Sequence, residues 1–407
     1  MGKHTFFTGQ PIFTQLLHFI PRTIISEISR QHQADRYCKR FKTYDHLVAM
    51  LYVGFYQCLS LREAITGLQA NSRRLFHTGL KASPRRSTLS DANKRRQALV
   101  FEQIYHRLYQ HYYGHLPDSR IAPADGHNDL YIIDSTTITL FSNIIKGAGS
   151  YQSNGRKKGG VKAHLLLNAR HNVASFIRIT EGRQHDLVFL KELVVPPGSM
   201  LVFDKAYMNY QKFEQWTRQS VNWVTRQKND AVFQVCEDRP VDSLSLSAGV
   251  KTDQIVRLGR KSNRSKTPLI KARRIFYTDA QTNKCFTFIT NDYLSRPEQV
   301  ADIYKKRWQI ELVFKRIKQR YPLKYFLGDN ENAIKIQIWT ALICDLLIQI
   351  VKDQLQKAQV RWSYANLAAM IKHHLMTYIK LIPFLLQPEK ALIGYSPPLP
   401  VAPTLFE

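Results

Sequence analysis

Four polar side chains follow the spacing Tyr304-x2-Arg307-x3-Glu311-x6-Lys318 within the stretch ADIYKKRWQIELVFKRIKQRYP, Ala301 to Pro322. On a helix advancing ~100° per residue, they fall within about 60° of one another. The apolar residues Ile303, Ile310, Phe314 and Ile317 lie beside that stripe, so it borders a buried face. A carboxylate set among Tyr, Arg and Lys has two readings. One is a solvated face with ordinary ion pairs from Glu311 to Arg307 and Lys315. The other is a metal-holding carboxylate beside groups that grip phosphate. A lone carboxylate holds a divalent ion poorly, so the second reading demands partners elsewhere in the chain.

Two acids answer that demand. Asp134 lies inside the apolar run YIIDSTTITL, and Asp204 follows MLVF and precedes KAYMNY. An aspartate within or just after an apolar strand is costly unless it is exposed at the sheet's edge or bound to a cation. Taken singly, each reads as a turn former. Taken with Glu311, they suggest three carboxylates converging from two strands and a helix. Such a cluster repels itself without cations. Two Mg²⁺ ions would neutralise it, and could activate water and stabilise the leaving oxygen in attack on a phosphodiester.

The elements that must position these groups can be read coarsely. The run from Ile303 to Arg320 contains no Gly or Pro, which predicts one helix, introduced by Ser295, Pro297 and Glu298 and stopped by Pro322. Residues 1 to about 120 read as helical. A turn at TGLKASPRR leads into a helix capped by Ser87 or Thr88, a helix-turn-helix pattern with Arg85, Arg86, Arg95 and Arg96 as DNA-contact candidates. From about 128 to 225, short β-branched runs alternate with one helix, YQKFEQWTRQ, which predicts an α/β layer. Strand-like runs from about 227 to 293 read as a β-rich insertion carrying the basic loop RKSNRSKTP. Residues 334 to about 393 read as helical, and the Pro-rich tail SPPLPVAPTLFE as loose.

The 407 residues are 44% hydrophobic and 22% charged, a globular composition with room for several domains. An excess of 59 Lys and Arg over 31 Asp and Glu gives a net charge of +28. That implies a polyanionic partner, nucleic acid first and an anionic membrane surface second. The charge gathers at 73–96, at 251–274 and in the 301–322 stretch, as a long polyanion touching several parts of the chain would require. The apolar run Ile336 to Val351 is interrupted by Gln337, Asp345 and Gln349 and reads as a buried helix rather than a membrane span. The N-terminus shows no signal-peptide pattern. Five scattered cysteines suggest free thiols in a reducing cytoplasm.

The Tyr–Arg–Glu–Lys spacing, with Asp134 in IDST and Asp204 in DKAY, resembles the insertion sequence four family of DDE transposases, and SLREA…STLSDANKRR resembles that family's N-terminal domain. The resemblance implies an RNase H-like core interrupted by a β-rich insertion, within a catalytic domain over 126–350. A helical DNA-binding domain over 1–122 would precede it, and a helical region with the tail over 351–407 would follow. It implies catalysis and metal binding by Asp134, Asp204 and Glu311, with two Mg²⁺ ions (Mn²⁺ as substitute). Tyr304, Arg307 and Lys318 would hold phosphates. Phe286 stands where relatives place an aromatic that stacks on a flipped base, or else is a core strand residue. Lys162 and His164 either support the site from a neighbouring strand or are structural. The implied activity is cut-and-paste movement of a DNA element in the bacterial cytoplasm, near the nucleoid, away from membranes, by a homodimer acting on double-stranded element ends and target. A nuclease without strand transfer and a non-enzymatic DNA-binding regulator are the alternatives. Asn168 stands where many relatives carry an acid, and Ala206 where Gly is common.

Overall fold

Asp134 and Asp204 both depend on strands, so strand order decides whether they meet. The computed structural model describes residues 9–391 except 115–128, 140–148, 152–156, 182–185, 260–268, 322 and 324–325. The basic loop RKSNRSKTP and the Pro-rich tail lie outside the described residues. Two compact units are present: the described residues of 93–342 form one, and those of 1–92 with 343–407 form the other.

The 93–342 unit is built on one ten-stranded sheet. Its strands are β1 (Leu130–Thr139), β2 (Gly149–Tyr151), β3 (Lys157–Asn168), β4 (Val173–Glu181), β5 (Met200–Phe203), β6 (Asn222–Arg226), β7 (Phe233–Arg239), β8 (Val250–Leu258), β9 (Ile270–Thr278) and β10 (Cys285–Thr290). β3 pairs antiparallel with β1 and β4, and β5 pairs parallel with β1 and β6. The order β4-β3-β1-β5-β6 with these senses is an RNase H-like core. The strands read as an insertion continue the same sheet: β10 pairs with β6, and β9, β8 and β7 follow outward.

Register does the positioning. Ile133 of β1 pairs with Phe203 of β5, so Asp134 and Asp204 each stand one residue past a paired position on neighbouring parallel strands. Those strands run about 5 Å apart. Val202 pairs with Val224, which puts Arg226 two residues further along β6, level with Asp204 and on the same face. The opposite face is apolar and buried. Ile133, Leu201, Phe203 and Trp223 pack there with Phe189 and Leu190 of the helix Asp186–Glu192 and with Phe213 and Trp216 of the helix Tyr210–Arg218. Trp223 stacks on Phe213 at 4.2 Å between ring centroids. Truncating one of these large aromatics would cost about 3–5 kcal/mol.

The helix expected over 303–320 is two helices, Pro297–Lys305 and Trp308–Arg320. At the joint the chain tightens into three-residue steps. Arg307 N donates to Tyr304 O at 3.0 Å and Gln309 N to Lys306 O at 3.0 Å. No Gly or Pro marks this break, so the sequence pattern runs through it. The expected start is also displaced. Arg296 is the N-cap residue and Pro297 the first helical residue, with Gln299 Oε1 accepting from Arg296 N at 3.0 Å. Glu298 instead accepts from Ser245 Oγ at 2.7 Å.

In the other unit, Ser60 Oγ accepts from Glu63 N at 3.1 Å while Glu63 accepts from Leu59 N at 2.7 Å, which starts the helix Leu61–Ala70. Backbone bonds from Ile12 and Phe13 to Thr377 and Leu375, at 3.1 and 2.8 Å, tie the first described helix to the stretch between the helices Tyr364–His373 and Leu381–Leu386. The helix Arg86–Arg95 begins before Ser87 and Thr88, so neither is its cap; next in sequence comes the helix Ala98–Tyr113, which belongs to the 93–342 unit. The helix Glu331–Lys357 is long and apolar enough to cross a membrane by length and composition, yet 94% of its most apolar stretch is buried inside the chain. All five cysteines are free.

One buried pair fixes the approach to the Glu311 helix. Arg273 on β9 forks onto Asp253 on β8 at 2.9 and 2.8 Å, and both side chains are at most 3% exposed. The other arm of Arg273 holds the carbonyls of Asp292 and Ser295 at 3.1 and 2.6 Å, in the turn before Pro297. Removing one member of a buried pair strands the other charge, at about 3–5 kcal/mol. Asp253→Ala is therefore expected to lower unfolding stability by about that amount in denaturant titration; a change below about 1 kcal/mol would show that the pair is not needed.

Candidate active site

The polar ends of β1, β5 and β6 share one face, and the two helices spanning 297–320 cover it. Four sequence-predicted groups meet there. Arg307 Nη1 donates to Asp134 Oδ2 at 2.9 Å, and Arg307 Nη2 donates to Glu311 Oε1 at 2.8 Å. One guanidinium thus bridges a strand carboxylate and a helix carboxylate far apart in sequence. Asp134 Oδ1 also accepts from Ser135 N at 2.8 Å. Asp204, at the end of β5, accepts from Ala206 N at 3.1 Å and from Arg226 Nη2 at 2.9 Å. An open cleft lined by Asp204, Lys205, Ala206, Lys228, Asn229 and Asp230 leads to it.

Tyr304 sits at the joint, 7% exposed, with its ring 5.0 Å from that of Phe288. The Arg226 guanidinium lies 5.8 Å from the Tyr304 ring centroid. Phe286 is half-buried and stacks on Phe288 at 6.0 Å, so a row of rings runs from Phe286 to Tyr304. Lys318, about two turns beyond Glu311 on the same helix, donates to the backbone carbonyl of Thr137 on β1 at 2.9 Å.

Other candidates lie elsewhere. Asp134 pairs with Leu165, whereas Ser135 and Thr137 pair with His164 and Lys162, which places His164 and Lys162 on the opposite face from Asp134. His164 is buried against Phe189, ring centroids 5.3 Å apart, and its Nε2 is 3.1 Å from Thr180 Oγ1. Arg85, Arg86 and Arg95 are exposed, but Arg96 is only 6% exposed and does not stand on the surface with them. Trp308 is 58% exposed on the Glu311 helix. Arg226 was missed by the motif reading. Its signal is positional: a cation at the C-terminal end of the parallel strand beside Asp204, the end where open α/β sheets place their sites.

The electrostatics distinguish the two aspartates. Burial raises the pKa of Asp134, and the charges of Asp204 and Glu311 add to that; Ser135 N–H and Arg307 only partly offset it. For Asp204, burial also acts upward, but the Arg226 hydrogen bond and the Ala206 amide outweigh it, so the carboxyl falls below its ordinary value. Burial acts to lower Arg307, and Glu311, Tyr304 and Asp134 outweigh it to leave the guanidinium more firmly protonated. Burial alone lowers Lys318; burial, with a smaller push from the charge of Asp204, raises Tyr304 against Arg226 and Arg307.

The donor set of three carboxylates suits a hard divalent cation, which takes oxygen ligands. Among the described residues no three His, Cys, Asp or Glu groups are drawn together as a ready cluster; the arginines stand between them.

The two shifts carry opposite signs for stability. Asp204, depressed when folded, stabilises the fold at neutral pH, and that contribution is lost as pH falls below about 4. Asp134, raised when folded, is an ionised group the fold tolerates at a cost, and the cost is relieved by protonation. In chelator at neutral pH, Asp204→Asn should lower the melting temperature and Asp134→Asn should raise it. A fall of equal size in both would contradict this electrostatic account.

A family model described as Transposase DDE domain matches residues 125–347, and one described as a domain of unknown function (DUF4372) matches residues 8–81. A Sinorhizobium fredii protein named as transposase y4zB is 33% identical over 270 residues, 66% of this chain and 72% of its own. A transposase for insertion sequence element IS4SA, from Synechocystis, is 25% identical over 332 residues, 79% and 87% of the two chains. One for insertion sequence element IS5377, from Geobacillus stearothermophilus, is 28% identical over 229 residues, 56% and 58% of the two. A cryo-EM structure of a piggyBac transposase synaptic complex with hairpin DNA overlays with a TM-score of 0.46 at 11% identity, covering 98% of this chain and 83% of that one. Membership carries dependence on a divalent metal and on DNA as partner. The chain belongs to the DDE transposases of the insertion sequence four type and is an insertion-sequence DNA transposase, an enzyme of DNA cleavage and strand transfer.

Proposed function

We propose that Asp134, Asp204 and Glu311 are the metal-holding carboxylates of a two-metal DDE site using Mg²⁺, with Mn²⁺ as substitute. The enzyme cuts at the ends of its own element and joins the freed 3′-hydroxyls to target DNA, by cut-and-paste. The observation that supports this most is the Arg307 bridge between Asp134 and Glu311, with Asp204 on the next strand and the same face. When bound, the two ions would activate the attacking oxygen and stabilise the leaving one.

The chain's own residues do the rest. Arg307 offers the planar fork suited to phosphate as well as carboxylate. Lys318 brings a half-buried cation to the rim of β1, where it steadies the transferred strand. Tyr304 presents a hydroxyl between the two arginines. Phe286 offers a ring face to a base displaced from the stack. Arg85, Arg86 and Arg95 supply exposed charge for element ends, within an N-terminal reader covering about 1–122; the buried Arg96 is left out of that surface. The catalytic domain would run over 126–350. The working form is a homodimer on paired terminal repeats, in the bacterial cytoplasm at the nucleoid.

Asp134→Ala, Asp204→Ala and Glu311→Ala should each abolish cleavage of a duplex taken from the DNA flanking the gene, with Mg²⁺ present, while duplex binding persists. Near-normal cleavage by any one of them would dismiss this triad. Lys318→Ala should slow single-turnover cleavage by ~100-fold, the scale of a misplaced substrate, with little change in melting temperature. An unchanged rate with lowered stability would make Lys318 a structural tie to Thr137 and nothing more.

A further inference from the structure

Each carboxylate of the proposed site is already bonded to an arginine: Asp134 and Glu311 to Arg307, and Asp204 to Arg226. A guanidinium and a divalent ion on the same carboxylate oxygens compete, because they use the same lone pairs and repel each other. Phosphate, in turn, competes with carboxylate for a guanidinium, since both match its fork.

We infer that Arg226 is a positioning residue that, with Arg307, makes metal binding and DNA binding mutually dependent. A backbone phosphate draws the guanidinium away and frees the carboxylate for the ion, so each ligand strengthens the other. This rests on the reading of the three acids as metal-holding. Nothing in the spacing motif marks Arg226; its place is set by β6, which lies next to β5 and puts Arg226 level with Asp204.

A second observation points to the phosphate half. The Tyr304 hydroxyl and the Nε atoms of Arg226 and Arg307 are all buried without a well-formed hydrogen bond. Tyr304 lies beside Arg226, but an arginine only donates, so the Tyr304 proton finds no acceptor there. Three donors short of acceptors, set among three acids spoken for by cations, suit an incoming anion with several oxygens. A small shift of the two guanidiniums toward a phosphate would supply them.

The experiment measures Mn²⁺ binding by the loss of the free-ion EPR signal, with and without a pre-cut duplex from the flanking DNA whose 3′ end lacks its hydroxyl. In the wild-type chain the duplex should tighten Mn²⁺ binding by about 5-fold or more, the usual floor of linked sites, and Mn²⁺ should tighten duplex binding by the same factor. Arg226→Gln should bind Mn²⁺ more tightly than wild type without DNA and lose most of the gain that DNA brings. Arg226→Lys keeps the charge but not the fork, and should fall between; it also decides the matter if the glutamine variant fails to fold. Wild-type Mn²⁺ binding indifferent to DNA, or a gain unchanged in either variant, would overturn the coupling and leave Arg226–Asp204 as a structural pair. Asp204→Asn separates the two failures: unchanged Mn²⁺ binding in that variant would refute the metal-site reading itself.

Discussion

The Arg307 fork between Asp134 and Glu311 is the contact on which the arrangement depends. It joins the first strand of the sheet in chain order to a helix that the chain reaches only after building the other nine. Charges of one sign cannot be brought to the ends of adjacent strands and an overlying helix without a cation among them. The arginine meets that need within the fold, and its planarity lets one group serve two carboxylates, which a lysine could do only as a point charge. The break in the helix falls at the same residue. A tightened turn at Lys306 and Arg307 coincides with a side chain whose two Nη atoms hold carboxylates on either side.

The β-rich segment between Asp204 and Glu311 poses a mechanical problem. An insertion of that length, hanging from a loop, would leave the Glu311 helix loosely registered against β1. Two devices prevent it. β10 returns to pair with β6, so the insertion becomes more sheet rather than a separate lobe. The segment TND at the end of β10 then knots the parts together. Thr290 Oγ1 donates to Trp223 O at 2.6 Å, and Asn291 accepts from Trp223 N at 2.7 Å while donating to Thr217 and Val221. Asp292 accepts from Leu294 N and Ser295 N at 2.9 and 3.0 Å, just ahead of Pro297. Buried polar networks of this kind fix one geometry because any slip leaves a donor or acceptor unmet.

What could be read from the sequence follows from which signals are local. The strands carrying Asp134 and Asp204 were legible because apolar β-branched runs bounded by turns are short-range patterns, and an acid embedded in one stands out. The Glu311 stripe was legible from helical spacing alone. The break at Lys306 was not, since no residue there disfavours helix. Arg226 was invisible because its role comes from strand neighbourhood, which is a long-range fact. The same holds for His164 and Lys162. Their position in a strand was plain, but which face they share with Asp134 depends on a register that only the folded sheet sets. Arg96 shows the converse limit: a basic cluster reads as surface, yet one of its members is turned inward at the junction between two helices.

The charge arithmetic of the site argues for a design in two halves. Three acids against Arg226 and Arg307 leave it close to balanced, which a fold can bear at the end of a buried sheet. The two aspartates nevertheless differ. Asp204 has its own arginine and a backbone amide and is held as the carboxylate, whereas Asp134 shares one arginine with Glu311 and is the more strained of the two. A cation held there would therefore relieve Asp134 most and meet its stiffest competitor at Asp204. Burial explains why the difference is felt at all: in bulk water screening would flatten it, but under the helices spanning 297–320 the same pairs act through a lower dielectric. The helices that cover this face thus do more than deliver Glu311. By partly shielding this face from water they strengthen each arginine–carboxylate bond that organises the site.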